Sequence, residues 1–176
     1  RHFRTRLAEE FERCQRHGAP LSLMLLDIDD FKGVNDNAHY DFGDQVLRGV
    51  ADVISQSVRN IDLAARIGGD EFGVLMPNTN LEEGVGVAMR ILAAADGLIV
   101  SDEEFHADVH LSIGTASFDG RGLADGTQLF LRANEALKAA KAGGKNRVCF
   151  FDPLRRSASQ AFGAPGSIQG IRPENQ

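Results

Sequence analysis

Six of the eight residues from Leu21 to Ile28 are large and apolar, and the run stops abruptly in acid at Asp27, Asp29 and Asp30. A short unbroken apolar run of this kind suits a β-strand buried on both faces rather than a half-exposed one. Asp27 then stands at the C-terminal end of a central strand. From Gly43 to Asn60 the residues Val46, Leu47, Val50, Val53, Ile54 and Val58 recur at helical spacing, so the chain recrosses the sheet. Two short apolar runs follow, Leu63 to Ile67 and Phe72 to Met76, the second closing on Pro77. Between them lie Gly68, Gly69, Asp70 and Glu71. The glycine pair predicts a tight β-hairpin, in which glycine supplies positive φ angles. In a split βαβ arrangement the returning strand lies antiparallel beside the first, and its turn falls next to Asp27. On its own such a turn reads first as a hairpin tip carrying acids for solubility. Its meeting with Asp27 changes the chemistry, because three carboxylates crowding one sheet edge repel one another unless a cation binds. Hard oxygen donors favour magnesium or manganese over zinc.

The remaining segments complete an α/β sandwich. Arg1 to His17 reads as a helix with Phe3, Leu7, Phe11 and Cys14 on one stripe. Asn80 and Glu83 mark a helix start, with Leu81, Val85, Ala88, Ile91, Leu92 and Ala95 as its apolar face. Ala107 to Phe118 alternates as a half-buried strand. A helix from about Gly126 to Ala142 buries Phe130, Ala133, Leu137 and Ala140, stops at Gly143-Gly144, and leads to a closing strand, Arg147 to Phe151. The expectation is a mostly antiparallel sheet, with a ferredoxin-like or palm βαββαβ core and helices on both sides. It places one domain over residues 1–153. Residues 154–176, with Gly163, Pro165, Gly166, Gly170 and Pro173, read as a flexible tail or linker.

Composition narrows the functions. A net charge of −6 speaks against broad nucleic-acid binding, which needs a basic face, yet a few lysines and a metal can neutralise one phosphate chain. Cys14 and Cys149 are the two cysteines, without disulfide or zinc spacing, consistent with a reducing compartment. No apolar run approaches the ~18 to 20 residues of a membrane span. The missing initiator Met and a helix at the first residue suggest a piece of a longer protein.

Taken in order and spacing, Asp27-Ile28-Asp29-Asp30-Phe31-Lys32, Asn35-Asp36, Gly43-Asp44, Arg66-Ile67-Gly68-Gly69-Asp70-Glu71-Phe72, Ser112-Ile113-Gly114 and Ala140-Lys141-Ala142-Gly143-Gly144-Lys145-Asn146 resemble the GGDEF domain of the diguanylate cyclase family. The resemblance runs from about Arg1 to Phe151. It implies a palm-like fold related to nucleotidyl cyclases and condensation of two GTP molecules into cyclic di-GMP. It further implies that Asp27, the carbonyl of Ile28 and Asp70 bind magnesium (or manganese). A nearby carboxylate, Asp70 or Glu71, would help deprotonate the attacking 3′-hydroxyl, and the sequence leaves open which. Asn35 and Asp44 match positions that bond the guanine edge, whose N1 and N2 are both donors. Phe31, Lys32, Gly68 and Gly69 match positions where the backbone approaches phosphates, and Lys141 and Lys145 match cations that grip them. Taken alone, Asp44 is also a good first-turn acid and the lysines good helix-end cations.

The segment Arg59-Asn60-Ile61-Asp62 matches the family's RxxD inhibitory site for product, with Arg90 as its secondary arginine. Departures are His39-Tyr40, where the family usually has Gly-His, and Asp30, which replaces a frequent histidine. The leading expectation is therefore a metal-dependent cyclase working as a homodimer under an upstream sensor domain, in a bacterial cytoplasm, with no nucleic-acid or membrane contact of its own. The rival is a catalytically quiet module that binds GTP or cyclic di-GMP and regulates a neighbouring domain.

Overall fold

A computed structural model describes residues 2–37, 40–102, 105–152 and 157–163. The central apolar run forms strand β1, Leu21–Ile28, buried along its whole length. Its neighbours are β3, Glu71–Pro77, on one side and β6, Leu111–Phe118, on the other, both antiparallel to it. β2, Leu63–Arg66, lies outside β3, while β7, Arg147–Asp152, and β8, Ser157–Gly163, extend the far side, giving the order β2-β3-β1-β6-β7-β8. The β6–β7 pairing is parallel and the rest are antiparallel. Helices α3, Tyr40–Ser57, and α4, Leu81–Asp96, connect β1 to β2 and β3 to β6, so the unit β1-α3-β2-β3-α4-β6 is the expected βαββαβ core.

Helices cover both faces, which is why the middle strands carry no polar face. Leu21, Leu23 and Leu25 of β1 join Phe3, Leu7, Phe11 and Cys14 of α1, His2–His17, and Leu129, Ala133 and Leu137 of α5, Gly126–Ala142, in one core. Met24, Leu26 and Ile28 point the other way, into a second core with Val46, Val50 and Ile54 of α3 and Ala88, Ile91 and Leu92 of α4. The period of two along a strand thus feeds alternate residues to opposite layers. Glycine at 114 lets α5 press directly on β6, since a Cβ there would lie 2.1 Å from the Leu137 amide nitrogen. Asn80 and Glu83 form the expected reciprocal capping box ahead of α4.

Several expectations need correction. A further helix, α2, Phe31–Asn37, follows β1 directly, and α3 begins ahead of Gly43. The predicted strand over 107–118 is two elements: β5, His106–Asp108, pairs with β4, Ile99–Ser101, in a small separate sheet, and β6 stands alone in the main sheet. β6 is buried on both faces rather than half-buried, because α4 and α5 sandwich it. On α5, Leu129 and Ala136 are buried where Phe130 was expected to be; Phe130 is only partly covered and carries Arg4 on its ring at 4.4 Å. Within the stretch read as an aperiodic tail, β8 pairs with β7, and Ala158 packs beside Cys149. Small residues there fit an edge strand that hydropathy alone does not reveal.

Candidate active site

The register of the sheet decides what meets at its edge. Asp27 stands opposite Glu71 on β3 and opposite Ser112 on β6, and the Ile28 amide donates to the Asp70 carbonyl at 3.2 Å. The predicted juxtaposition of Asp27 with the turn is therefore present. The turn itself is wider than a tight hairpin: β2 ends at Arg66, β3 begins at Glu71, and both Ile67 and Gly68 direct their amides to the Glu71 carbonyl, at 2.8 and 3.3 Å. Neither Gly68 nor Gly69 takes a positive φ, contrary to expectation. Longer hairpin loops are built around ordinary turn conformations and do not require it. Gly68 matters for space instead, since a Cβ there would lie 2.7 Å from Glu71 Oε2. Gly69 faces open space and leaves the turn's surface bare.

Arg66 holds this loop. Its Nε donates to the carbonyls of Gly68 and Gly69 at 3.2 and 3.0 Å, and its Nη2 donates to Gly69 at 2.7 Å. The sequence singled out Arg66 as part of a motif but gave it no task, and an arginine two residues before a glycine turn was the available signal.

Asp27 is 6% exposed, and its Oδ2 lies 2.6 Å from Lys141 Nζ. Burial pushes its carboxyl above the ordinary carboxylate range, the Lys141 hydrogen bond and charge pull it back, and the charges of Asp70 and Glu71 raise it again. Lys145 Nζ contacts Asp30 Oδ1 at 2.5 Å, which with the surrounding aspartates raises the lysine above its ordinary value. Asp30 itself sits at φ 57°. Asp29, not singled out from sequence, ties this corner together. Its Oδ1 accepts from Ser112 Oγ at 2.7 Å, its Oδ2 from the Asn146 amide at 2.9 Å, and its own amide donates to the His110 carbonyl at 2.9 Å. It thereby fixes the Lys145-Asn146 turn, both of whose residues have positive φ, to the end of β1.

Beside these carboxylates runs a groove of about 390 Å³ lined by Phe31, Lys32, Asp36, Asp44, Arg66, Gly69 and Asp70, among others. It gathers five of the residues expected at a nucleotide. Asp44 and Lys32 are exposed, and Asp44 projects from the first turns of α3. A second, more apolar hollow of about 490 Å³ between α3 and β2 shares Asp44, Leu47 and Arg66 with it. Asn35 lies on α2, its side chain outside what is described; His39 also falls outside the described residues, and Tyr40 opens α3. Asp27, Asp70 and Glu71 supply only hard oxygen donors, with more negative charge than Lys141 alone offsets, and so suit a divalent cation. Among the described residues, however, no three His, Cys, Asp or Glu side chains are grouped closely enough to hold a metal ion, so the expected crowding of three carboxylates is not present.

The Arg59–Asp62 segment lies apart from this groove. Asp62 Oδ2 accepts from the Arg59 amide at 2.8 Å, and the Asp62 amide donates to the Arg59 carbonyl at 3.0 Å, making a closed turn. Asp62 Oδ1 is shielded from solvent and has no hydrogen-bond partner among the described residues. Arg90 is exposed, as expected, and its Nη2 donates at 2.7 Å to the Ser57 carbonyl at the end of α3, two residues before Arg59. The structure therefore brings Arg90 to the base of the turn.

Comparison with known proteins agrees with the fold and the family resemblance. The family described as diguanylate cyclase, GGDEF domain, matches residues 1–147, and the chain belongs to that family. It is 40% identical over 139 residues to the response regulator PleD of Caulobacter vibrioides, covering 78% of this chain and 30% of PleD. It is 37% identical over 143 residues to the diguanylate cyclase DgcP of Pseudomonas aeruginosa, covering 81% of this chain and 21% of DgcP. The GGDEF domain of DgcB from Caulobacter crescentus, solved in complex with c-di-GMP, superposes with a TM-score of 0.79 at 30% identity, covering 84% of this chain and 87% of that one. The chain thus spans less than a third of the length of these two curated relatives. No helix of the described residues is long and apolar enough to cross a membrane.

Proposed function

We propose that the chain is a diguanylate cyclase that joins two GTP molecules into cyclic di-GMP and releases two pyrophosphates. The observation that carries this reading is the groove that collects Phe31, Lys32, Asp44, Gly69 and Asp70 alongside the Asp27–Lys141 pair. In this reading Asp44 and Asn35 accept from the guanine edge, a pattern that adenine does not satisfy. The backbone of Phe31, Lys32, Gly68 and Gly69 faces the phosphates, and Lys141 and Lys145 neutralise them. Asp27, Asp70 and the Ile28 carbonyl would hold magnesium or manganese, which when bound draws charge from the α-phosphate. Asp70 or Glu71 accepts the 3′-hydroxyl proton, the 3′-oxygen forms the new bond to the partner nucleotide's α-phosphorus, and the bond to pyrophosphate breaks.

One groove holds one nucleotide, so two copies of the chain must face each other, each presenting its 3′-hydroxyl to the other's α-phosphate. An upstream sensor domain that brings two copies together would control that dimer. Arg59, Asp62 and Arg90 form the inhibitory site for cyclic di-GMP, arginine reading a guanine Hoogsteen edge and aspartate its donors. Incubation with GTP and magnesium over a series of protein concentrations, with product separated by chromatography, tests the proposal. Cyclic di-GMP should form at a rate rising faster than linearly with protein. A concentrated, folded chain that binds GTP and makes no product would instead be a nucleotide receptor.

A further inference from the structure

We propose that Lys141 is a resident counter-cation for Asp27, which a nucleoside triphosphate must draw away before a divalent cation can settle on that carboxylate. Metal and nucleotide then bind as a coupled pair. The inference rests on the nucleotide reading above and goes beyond it, since it concerns the protein before either ligand arrives.

Three observations lead there. The Asp27 side chain is only 9% exposed, and a charge so far out of water requires a partner. Lys141 is that partner at 2.6 Å, whereas Lys145, a second cation of this corner, is engaged by Asp30. Asp27 also faces Glu71 in the sheet register, and its neighbour Ile28 is bonded to the Asp70 backbone, so the corner's negative charge converges where the ammonium sits. A divalent cation held by the Asp27 carboxylate would compete with the Lys141 ammonium for one shielded site. The ammonium and the ion cannot share it.

Lys141 is built to leave without disturbing the fold. Its backbone belongs to the last turn of α5, which is closed by the Gly143 amide on Ala139 at 2.9 Å and the Lys145 amide on Ala140 at 3.1 Å. Its side chain is 40% exposed on a flexible four-carbon stem. The move is therefore confined to one side chain, and it needs a second anion as its destination. A triphosphate lying in the groove past Gly69 and Asp70 supplies one. Without it, a cation arriving at Asp27 would have to displace Lys141 from the carboxylate with no second anion to take up the ammonium. Linkage makes the effect mutual: whatever nucleotide adds to metal affinity, metal adds to nucleotide affinity. The Lys145–Asp30 pair plays a lesser part, because Asp30 is 80% exposed and water already screens it.

The experiment measures Mn²⁺ binding to the whole chain by the electron paramagnetic resonance of free Mn²⁺, without nucleotide, beside GTP binding by calorimetry. Lys141→Gln removes the competitor and should bind Mn²⁺ about tenfold more tightly than wild type, within the usual range of such couplings. Lys145→Gln should change Mn²⁺ affinity less than about twofold. Lys141→Arg keeps the charge and should bind Mn²⁺ no more tightly than wild type, which guards against a Gln variant that fails to fold. Equal or weaker Mn²⁺ binding by folded Lys141→Gln, or tighter binding by Lys141→Arg, overturns the proposal. A wild type that binds no GTP sinks the nucleotide reading itself, whereas GTP binding with unaltered Mn²⁺ affinity in Lys141→Gln sinks the competition alone.

Discussion

The two candidate ligand regions are built by opposite means. The groove region draws its charges from far apart in the chain: Asp27 from β1, Asp70 from the β2–β3 turn, Glu71 from the start of β3, Lys141 and Lys145 from the end of α5 and just beyond it. Only the sheet register brings them together. The Arg59–Asp62 region is a local turn whose aspartate bonds the arginine amide three residues away, with Arg90 brought to its base from α4. The first should thus fail whenever the packing of α5 or the strand register fails. The second should survive changes that leave the α3 terminus intact.

The largest expected effect separates chemistry from assembly. Asp70→Ala should lower the rate of cyclic di-GMP formation by at least about a hundredfold, in line with loss of a proton-transfer or charge-stabilising group. Cyclic di-GMP binding at the Arg59 turn, followed by calorimetry, should stay within about twofold of wild type. Parallel loss of both would show that the regions are not separate.

Next comes Gly114. An added Cβ would meet the backbone of α5 at 2.1 Å, with nothing flexible to yield, so Gly114→Ala should cost on the order of 3 kcal/mol of stability, at the upper end for overpacking. Urea unfolding measures that loss. In the protein that remains folded, displacement of α5 carries Lys141 and Lys145 with it, so GTP affinity should fall while cyclic di-GMP affinity holds. Asp62→Ala inverts the pattern. It removes the acceptor that closes the turn, and should weaken cyclic di-GMP binding about tenfold while leaving GTP affinity unchanged, with roughly 1 kcal/mol lost in stability. Arg90→Ala should move the same affinity in the same direction by less.

The contrast also explains what was legible in the sequence. β1 could be read because burial on both faces leaves no polar alternation, and the acids at its end marked where the strand stops. Motifs with their own local grammar were equally plain: the Asn80/Glu83 capping box and the Gly143-Gly144 stop. What escaped was non-local or compensated. Asp29 looked like one more acid in a run, and its bonds to Ser112 and Asn146 exist only because β6 lies beside β1 and the turn leading into β7 reaches the end of β1. Gly68 and Gly69 suggested left-handed backbone, whereas one of them makes room for Glu71 and the other leaves a surface bare. β8 was invisible because small residues at a sheet edge carry almost no hydrophobic signal.

The smallest effect concerns the core that both regions share. Cys14 and Cys149 are buried free thiols, and burial raises both above the ordinary thiol value. In the unfolded chain they ionise above about pH 8.5, while in the folded protein they keep their protons. The unfolded state then binds fewer protons than the native one, so stability falls as pH rises past that point and is unaffected by these groups well below it. The urea midpoint should accordingly drop between pH 7.5 and 9.5. Replacing both cysteines by alanine should flatten that alkaline slope, although the variant starts from a lower midpoint because of the small cavities left behind. Since Cys14 packs from α1 against β1 and β3, and Cys149 of β7 packs against α5 and β8, single replacements report on two separate parts of the packing. An unchanged slope in the double variant would assign the alkaline loss to groups other than these thiols.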